Sequence, residues 1–266
     1  MICTAEHPLI KLIRIGEQNI MIEQTGNYIK LFVSLLLASV WAGLMFVVAL
    51  VTFFQMRNIY RTMSKWICLL ILRVWGIRLR VHPSKEPLPA GQKIYISNHT
   101  STLDVLIIIA LGLSNCRYFL SGFLRYYIPV GIIATVLGTF YTCPQSQPEK
   151  RIKIFKRAQR ILQKTGESVY LSPEGERITT GEIGHFNKGA FHLATNLKAP
   201  LCPFYIRIPN YSNPGLGFFA RPGGVDVFFE PAIITDHWQL EDLMANKEMV
   251  RQVFVGYNRQ WQATDA

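Results

Sequence analysis

From Leu31 to Phe54 the chain reads LFVSLLLASVWAGLMFVVALVTFF, without one charged residue. As a helix such a run is about 36 Å long, enough to cross the hydrocarbon of a bilayer with some tilt. It makes a poor signal peptide: it begins late, is too long, and ends in FFQMRN rather than at small residues. A retained membrane helix is therefore expected, with a long hairpin lying in the interface as the alternative. The methionine and aromatic residues of the run then face lipid.

The two flanks differ in charge. Residues 1–30 carry Lys11, Arg14 and Lys30 against Glu6, Glu17 and Glu23, whereas residues 57–80 carry Arg57, Arg61, Lys65, Arg73, Arg78 and Arg80 with no acid. The positive-inside rule puts everything after the apolar run on the cytoplasmic side, of the inner membrane if the source is bacterial. Arg57, Arg61 and Lys65 recur every fourth residue and share a helical face; Ile67, Leu70, Ile71 and Val74 can form another. That run is too short to span and reads as an interfacial helix whose cationic heads touch phospholipid phosphates. The whole chain agrees: half of its 266 residues are hydrophobic and its net charge is +11. Such a balance points to an anionic membrane surface or an anionic substrate, and no nucleic-acid partner is expected. Cys3, Cys68, Cys116, Cys143 and Cys202 are scattered and never paired as C-x-x-C, which argues against a disulfide framework or a zinc site.

After His82-Pro83 short apolar runs alternate with helix-length segments. Residues 93–97, 117–121, 138–142, 168–172, 201–207 and 225–230 read as strands, and 101–112, 124–137, 148–165, 188–197 and 239–262 as helices. The alternation predicts one α/β domain around a mostly parallel central sheet flanked by helices. Tyr126 to Pro148 is apolar but broken by Pro129, Gly131 and Gly138, so it reads as a buried helix running into a strand. In 148–165, Ile152, Phe155 and Leu162 form an apolar stripe. The rest is crowded with Lys and Arg: a solvated face, or a contact for anionic lipid or an acidic acyl carrier.

The chemistry centres on SNHTSTLD, residues 97–104. A strand delivers Asn98 and His99 to its C-terminal mouth, the edge where open α/β sheets bind ligands. Asp104 lies about one turn into the following helix and can reach back to one ring nitrogen, leaving the other to face a substrate. By itself the spacing is equally that of a polar turn with Thr100 or Ser101 as N-cap. The second stretch, SVYLSPEGERITTGEIGHFNKG at 168–189, also follows a strand. Pro173, Glu174 and Gly175 end that strand sharply; Arg177 and Lys188 add cationic donors suited to a phosphate. Glu174 is unexpected beside an anion site. It would orient Arg177 or accept from a substrate hydroxyl, unless the stretch is a surface loop with an ordinary salt bridge. His185 and His192 have no partner at metal-ligand spacing, and no metal site is expected.

Together these residues resemble the glycerolipid acyltransferase family, typified by the 1-acyl-glycerol-3-phosphate acyltransferases. Asn98, His99 and Asp104 match its N-H-x4-D motif; Ser172-Pro173-Glu174-Gly175-Glu176-Arg177 stands for F-P-E-G-T-R; Phe186-Asn187-Lys188-Gly189-Ala190 for F-K-K-G-A; and Pro203 for the proline of its fourth motif. The second motif is only partly present, at Leu124, Pro129, Gly131 and Gly138, and its arginine is replaced near Cys143-Pro144. The resemblance covers about residues 90–235. It implies transfer of an acyl group from a thioester, carried by coenzyme A or by acyl carrier protein, to the free hydroxyl of a lyso-lipid. His99 and Asp104 would be catalytic; Glu174, Gly175, Arg177 and Lys188 would bind the acceptor phosphate; Asn98 and Pro203 would support them. The helix around 124–137 would line the acyl groove. No bound cofactor is needed, the thioester being a co-substrate. The chain then divides into residues 1–30, a non-catalytic segment; 31–80, a membrane anchor with the interfacial helix; and 81–266, the acyltransferase domain. Ser172 stands where phenylalanine is usual and Glu176 where threonine is usual. Glu176 disfavours a second negative charge on a phosphate held by Arg177, which favours an acceptor bearing a headgroup over lysophosphatidate. A thioesterase that uses the same base on water, and a non-catalytic lipid-binding protein, are the competing classes.

Overall fold

The structure, a computed structural model, describes residues 8–265, with side chains over 21–261. Cys3, Glu6 and the side chains of Lys11, Arg14 and Glu17 lie outside the described residues. The apolar run is part of a longer helix, α1 (Pro8–Val51), followed by α2 (Arg57–Val74). One stretch of α1, Met21–Val51, is long and apolar enough to cross a membrane. Ala38, Ala42, Met45 and Ala49 form its buried stripe, at helical spacing, and the small alanines let α2 approach closely. The Trp41 indole donates to the Met63 carbonyl at 3.0 Å and the Trp75 indole to Ser34 Oγ at 3.1 Å, pinning the two helices. The reversal between them is tight: Phe53 and Phe54 both take left-handed backbone, at φ 50° and 58°. The opposite face of α1, with Phe32, Leu36, Val40, Val47 and Val51, is exposed.

The domain is α/β as expected. Seven strands lie in the order β1-β7-β6-β2-β5-β3-β4: β1 Ile77–His82, β2 Ile94–Ser97, β3 Cys116–Ser121, β4 Phe140–Thr142, β5 Ser168–Leu171, β6 Leu201–Arg207 and β7 Gly223–Phe229. All pairs are parallel except β6 with β7. The sheet begins earlier than residue 81. In β1, Ile77, Leu79 and Val81 alternate with Arg78, Arg80 and His82, a strand hidden in the sequence by its basic residues. Arg80 and His82 close on Asp226 of β7 at 2.6 and 2.8 Å.

Side-chain alternation splits the core into two layers. Tyr95, Tyr118, Tyr170 and Phe204 face α1, α2, α3 (Asp104–Ala110) and α4 (Ile128–Val136). Ile94, Ile96, Val169 and Leu171 face α5 (Pro148–Thr165), α6 (Gly189–Leu197) and α7 (Leu243–Asp265). The segment expected as a helix over 124–137 is a 3-10 turn, Gly122–Tyr126, and then α4, with Pro129 in its first turn. In α5 the seam is Phe155, Ala158 and Leu162, while Ile152 stays 54% exposed and most of the cationic residues face outward.

α2 does not direct all its cations outward. Arg57 and Arg61 turn onto Glu167, at 3.6 and 3.7 Å, and Arg117 of β3 reaches the same carboxylate at 2.6 Å. Glu167 immediately precedes β5, so this knot lies at the N-terminal edge of the sheet. It joins the helix that follows α1 to the strands.

Candidate active site

The opposite, C-terminal edge collects the motif residues. β2 ends at Ser97 and the chain enters Asn98, whose buried side chain both accepts from Ile206 N–H at 2.8 Å and donates to Ile206 C=O at 2.9 Å. The amide thereby fastens the exit of β2 to β6. His99 follows, its ring Nδ1 2.6 Å from Asp104 Oδ2. Asp104 is fully buried, and the same oxygen accepts the backbone N–H groups of Thr100 and Ser101 at 2.8 and 2.9 Å. A carboxylate oxygen holding two amide donors fixes Nδ1 as a third donor, which leaves the lone pair on Nε2. Among the described residues the Thr100 side chain makes no cap, while Ser101 Oγ accepts Leu103 N–H at 3.2 Å just ahead of α3. The carboxylate of the helix's own first residue also reaches back.

β5 delivers Pro173, Glu174 and Gly175 beside this loop. Glu174 is buried, and its two oxygens take separate backbone donors: His99 N–H at 2.6 Å and Gly184 N–H at 2.8 Å. Burial pushes its carboxyl up to about 7, against the pull of those two hydrogen bonds. The return contact runs from Ile178 N–H to the His99 carbonyl at 2.8 Å. The PEGER loop thus holds the peptide of His99 from both sides. Gly175 needs to be glycine twice over: its φ is +73°, and a Cβ there would stand 2.6 Å from Asn187 Nδ2. That Asn187 amide donates to the carbonyls of Pro173 and Glu174 at 3.2 and 2.7 Å and closes the loop.

The structure brings together His99, Asp104, Asn98 and Glu174 in direct contact. Arg177 is exposed and adjoins Ile178, so its backbone is one residue from the His99 contact. Lys188 is exposed at the start of α6, and no contact with His99 or Arg177 is present among the described residues. Pro203 lies buried within β6 opposite Ile96, away from the reacting edge. The sequence spacing left unread the role of Asn187, the place of Glu174 under His99, and Gln145. The last lies in the loop after β4, and its Nε2 comes within 3.9 Å of a Cβ on Gly175. Thr102 was also unread: its N–H donates to Gly215 C=O at 3.0 Å and its hydroxyl to Gly217 C=O at 2.5 Å, tying the His99 loop to a strap after β6. In that strap Phe219 packs between Tyr28 of α1 and Trp75.

A second recess, of about 360 Å³, opens between the end of α1 and α4, walled by Phe46, Phe54, Ile128, Ile132 and Val136. An imidazole whose Nε2 keeps its lone pair and a carboxylate that orients it suit the activation of a hydroxyl, and an apolar groove elsewhere on the same domain suits an amphipathic molecule.

The family model described as Acyltransferase matches residues 78–207. A 1-acyl-sn-glycerol-3-phosphate acyltransferase of Pseudomonas aeruginosa is 30% identical over 218 residues, covering 76% of this chain and 79% of the relative. This chain belongs to the 1-acyl-sn-glycerol-3-phosphate acyltransferase family. An enzyme of the same name from Limnanthes douglasii is 26% identical over 186 residues, 70% of this chain; the match spans 65% of the length of that relative. The crystal structure of the 1-acyl-sn-glycerophosphate acyltransferase PlsC of Thermotoga maritima superposes with a TM-score of 0.62 at 16% identity, covering 88% of this chain and 98% of that one, and shares the fold.

Proposed function

We propose that this chain is a membrane-bound O-acyltransferase of phospholipid biosynthesis or remodelling. It moves an acyl chain from a thioester to the free hydroxyl of a lysophospholipid of the 1-acyl-glycerol-3-phosphate type. The observation that carries this reading is the His99–Asp104 pair, with Nε2 left open at the sheet's C-terminal edge. As the acceptor oxygen attacks the thioester carbonyl, His99 takes the hydroxyl proton and Asp104 balances the imidazolium. The C–S bond then breaks, and the proton passes to the departing thiolate. The thioester supplies its own leaving group, from coenzyme A or acyl carrier protein. Arg177, aided by the backbone around Gly175 and by Lys188, holds the acceptor phosphate. Glu174 serves that site as the clamp on His99 and on the loop carrying Arg177. The groove between α1 and α4 takes acyl chain. The apolar face of α1 sits in lipid, with the catalytic domain on the cytoplasmic, anionic surface.

The test is thiol release from acyl-CoA with lysophosphatidate present, combined with mass spectrometry of the lipid product. His99→Ala and Asp104→Asn are each expected to lose at least about 100-fold in rate, the lower end of general-base contributions. Full activity in both variants overturns the dyad. Thiol release without lyso-lipid, yielding free fatty acid, identifies a thioesterase instead.

A further inference from the structure

On the β6 side of His99 lies a recess of about 280 Å³ that the reaction above leaves unused. Its walls start where the site's own segments end: Thr100 follows His99, Ile178 and Thr179 follow Arg177, and Arg207 closes β6. Asn210 and, from α7, Asn258 complete it. The Ile178–His99 backbone bond sets this recess one residue from both the base and the side chain assigned to the phosphate. Residues flanking His99 and Arg177 thus line the recess, so a group esterified to a phosphate held there is within reach of it.

The lining selects among headgroups. It falls below the roughly 300–1,000 Å³ of pockets that enclose whole drug-sized ligands, so it takes a small group. Hydroxyl and amide side chains make up half of the lining, which also holds one cation, Arg207, and one carboxylate, Glu182. The indole face of Trp261 would suit a quaternary ammonium. That face is already covered by the Arg207 guanidinium, 4.7 Å from the ring centroid, and a cationic headgroup would also meet that charge. Asn98 and Asn258 already spend their amides on Ile206 and on Gly181 and Tyr205. Thr100, Thr179 and Asn210 are then the side chains that face a ligand, and a neutral polyol both donates and accepts at each hydroxyl, as those three require.

We propose that this recess holds the uncharged, polyhydroxylic headgroup of a lysophosphodiester, so that the protein acylates an acceptor such as lysophosphatidylglycerol besides lysophosphatidate. This rests on the acyltransferase reading above and extends its acceptor class. Glu176, beside Arg177, also favours the single charge of a phosphodiester. The chemistry is unchanged: the acceptor oxygen bonds to the acyl carbon, the C–S bond breaks, and the proton travels through His99 to the thiol.

The experiment offers the purified full chain, in lipid micelles, one acyl-CoA with lysophosphatidate, lysophosphatidylglycerol or lysophosphatidylcholine in turn. The expected result is transfer to the first two, with lysophosphatidylcholine at least tenfold poorer in kcat/KM than lysophosphatidylglycerol. The combined variant Thr179→Val with Asn210→Leu is expected to shift the kcat/KM ratio at least tenfold toward lysophosphatidate. Transfer to lysophosphatidate but not lysophosphatidylglycerol overturns this inference and leaves the acyltransferase reading standing. An unchanged ratio in the variant, or equal use of the choline lipid, overturns it as well. Transfer to no lyso-lipid overturns the reading beneath it.

Discussion

Glu174 carries a cost that its position explains. A carboxylate enclosed by protein and satisfied only by two backbone donors titrates at about 7 rather than at its ordinary 4.5. Between those values the unfolded chain has released a proton that the native state keeps. Stability therefore falls as pH rises through that window, by about 3 kcal/mol in all. Glu174→Gln removes the titration. Chemical denaturation in detergent at pH 4 and pH 8 is expected to show the wild type losing about that much relative to the variant. A difference independent of pH would mean that the carboxyl titrates normally. At the residue scale His99 and Asp104 were legible, not from their five-residue offset alone, which a capped turn shares, but because a second motif at another strand end accompanies it in the sequence. Glu174 was not: its partner is a backbone N–H 75 residues away in sequence, and amide donors leave no mark on residue type.

Among the elements, α2 departs most from its sequence pattern. Its four-residue spacing of cations suggested phosphate contacts, yet Arg57 and Arg61 share Glu167 with Arg117. Spacing fixes which residues share a face but not what the face meets, and a single acid before β5 redirects this one. Desolvation lowers the Arg117 pKa, and the nearby Arg57 and Arg61 charges push the same way. Removing the shared counter-charge leaves guanidinium groups buried against one another. Glu167→Ala is expected to cost about 3–5 kcal/mol, the range for breaking a buried pair, read as a lowered midpoint in thermal or denaturant unfolding. A change below about 1 kcal/mol would show that the pairs are no stronger than surface salt bridges. β1 was missed for a related reason. Its arginines read as a flanking charge cluster, although its alternation of period two was present all along.

At the scale of the whole molecule the α/β order was readable, since alternating runs leave few topologies for a parallel sheet. The extent of α1 was not, because polar residues before Leu31 hide a continuous helix. Tyr60, Ile67 and Leu72 of α2 are nearly fully buried in the core that α1 helps to form. A chain starting at residue 57 is therefore expected to aggregate on expression rather than yield a soluble catalytic domain. Size-exclusion chromatography of that truncation, with and without detergent, checks this; a monodisperse, detergent-free monomer would contradict it.

The strap from Gly215 to Phe219 gives this joint a practical edge. It grips Thr102, three residues from the base, and wedges Phe219 between Tyr28 and Trp75. The long apolar helix α1 is therefore part of the catalytic scaffold's own framework and cannot be exchanged like a tag. An engineer who grafts another protein's apolar helix onto residue 57 discards a wall of the workshop. A working chimaera would have to recreate the Tyr28 ring and the alanine stripe in register before it recovered turnover.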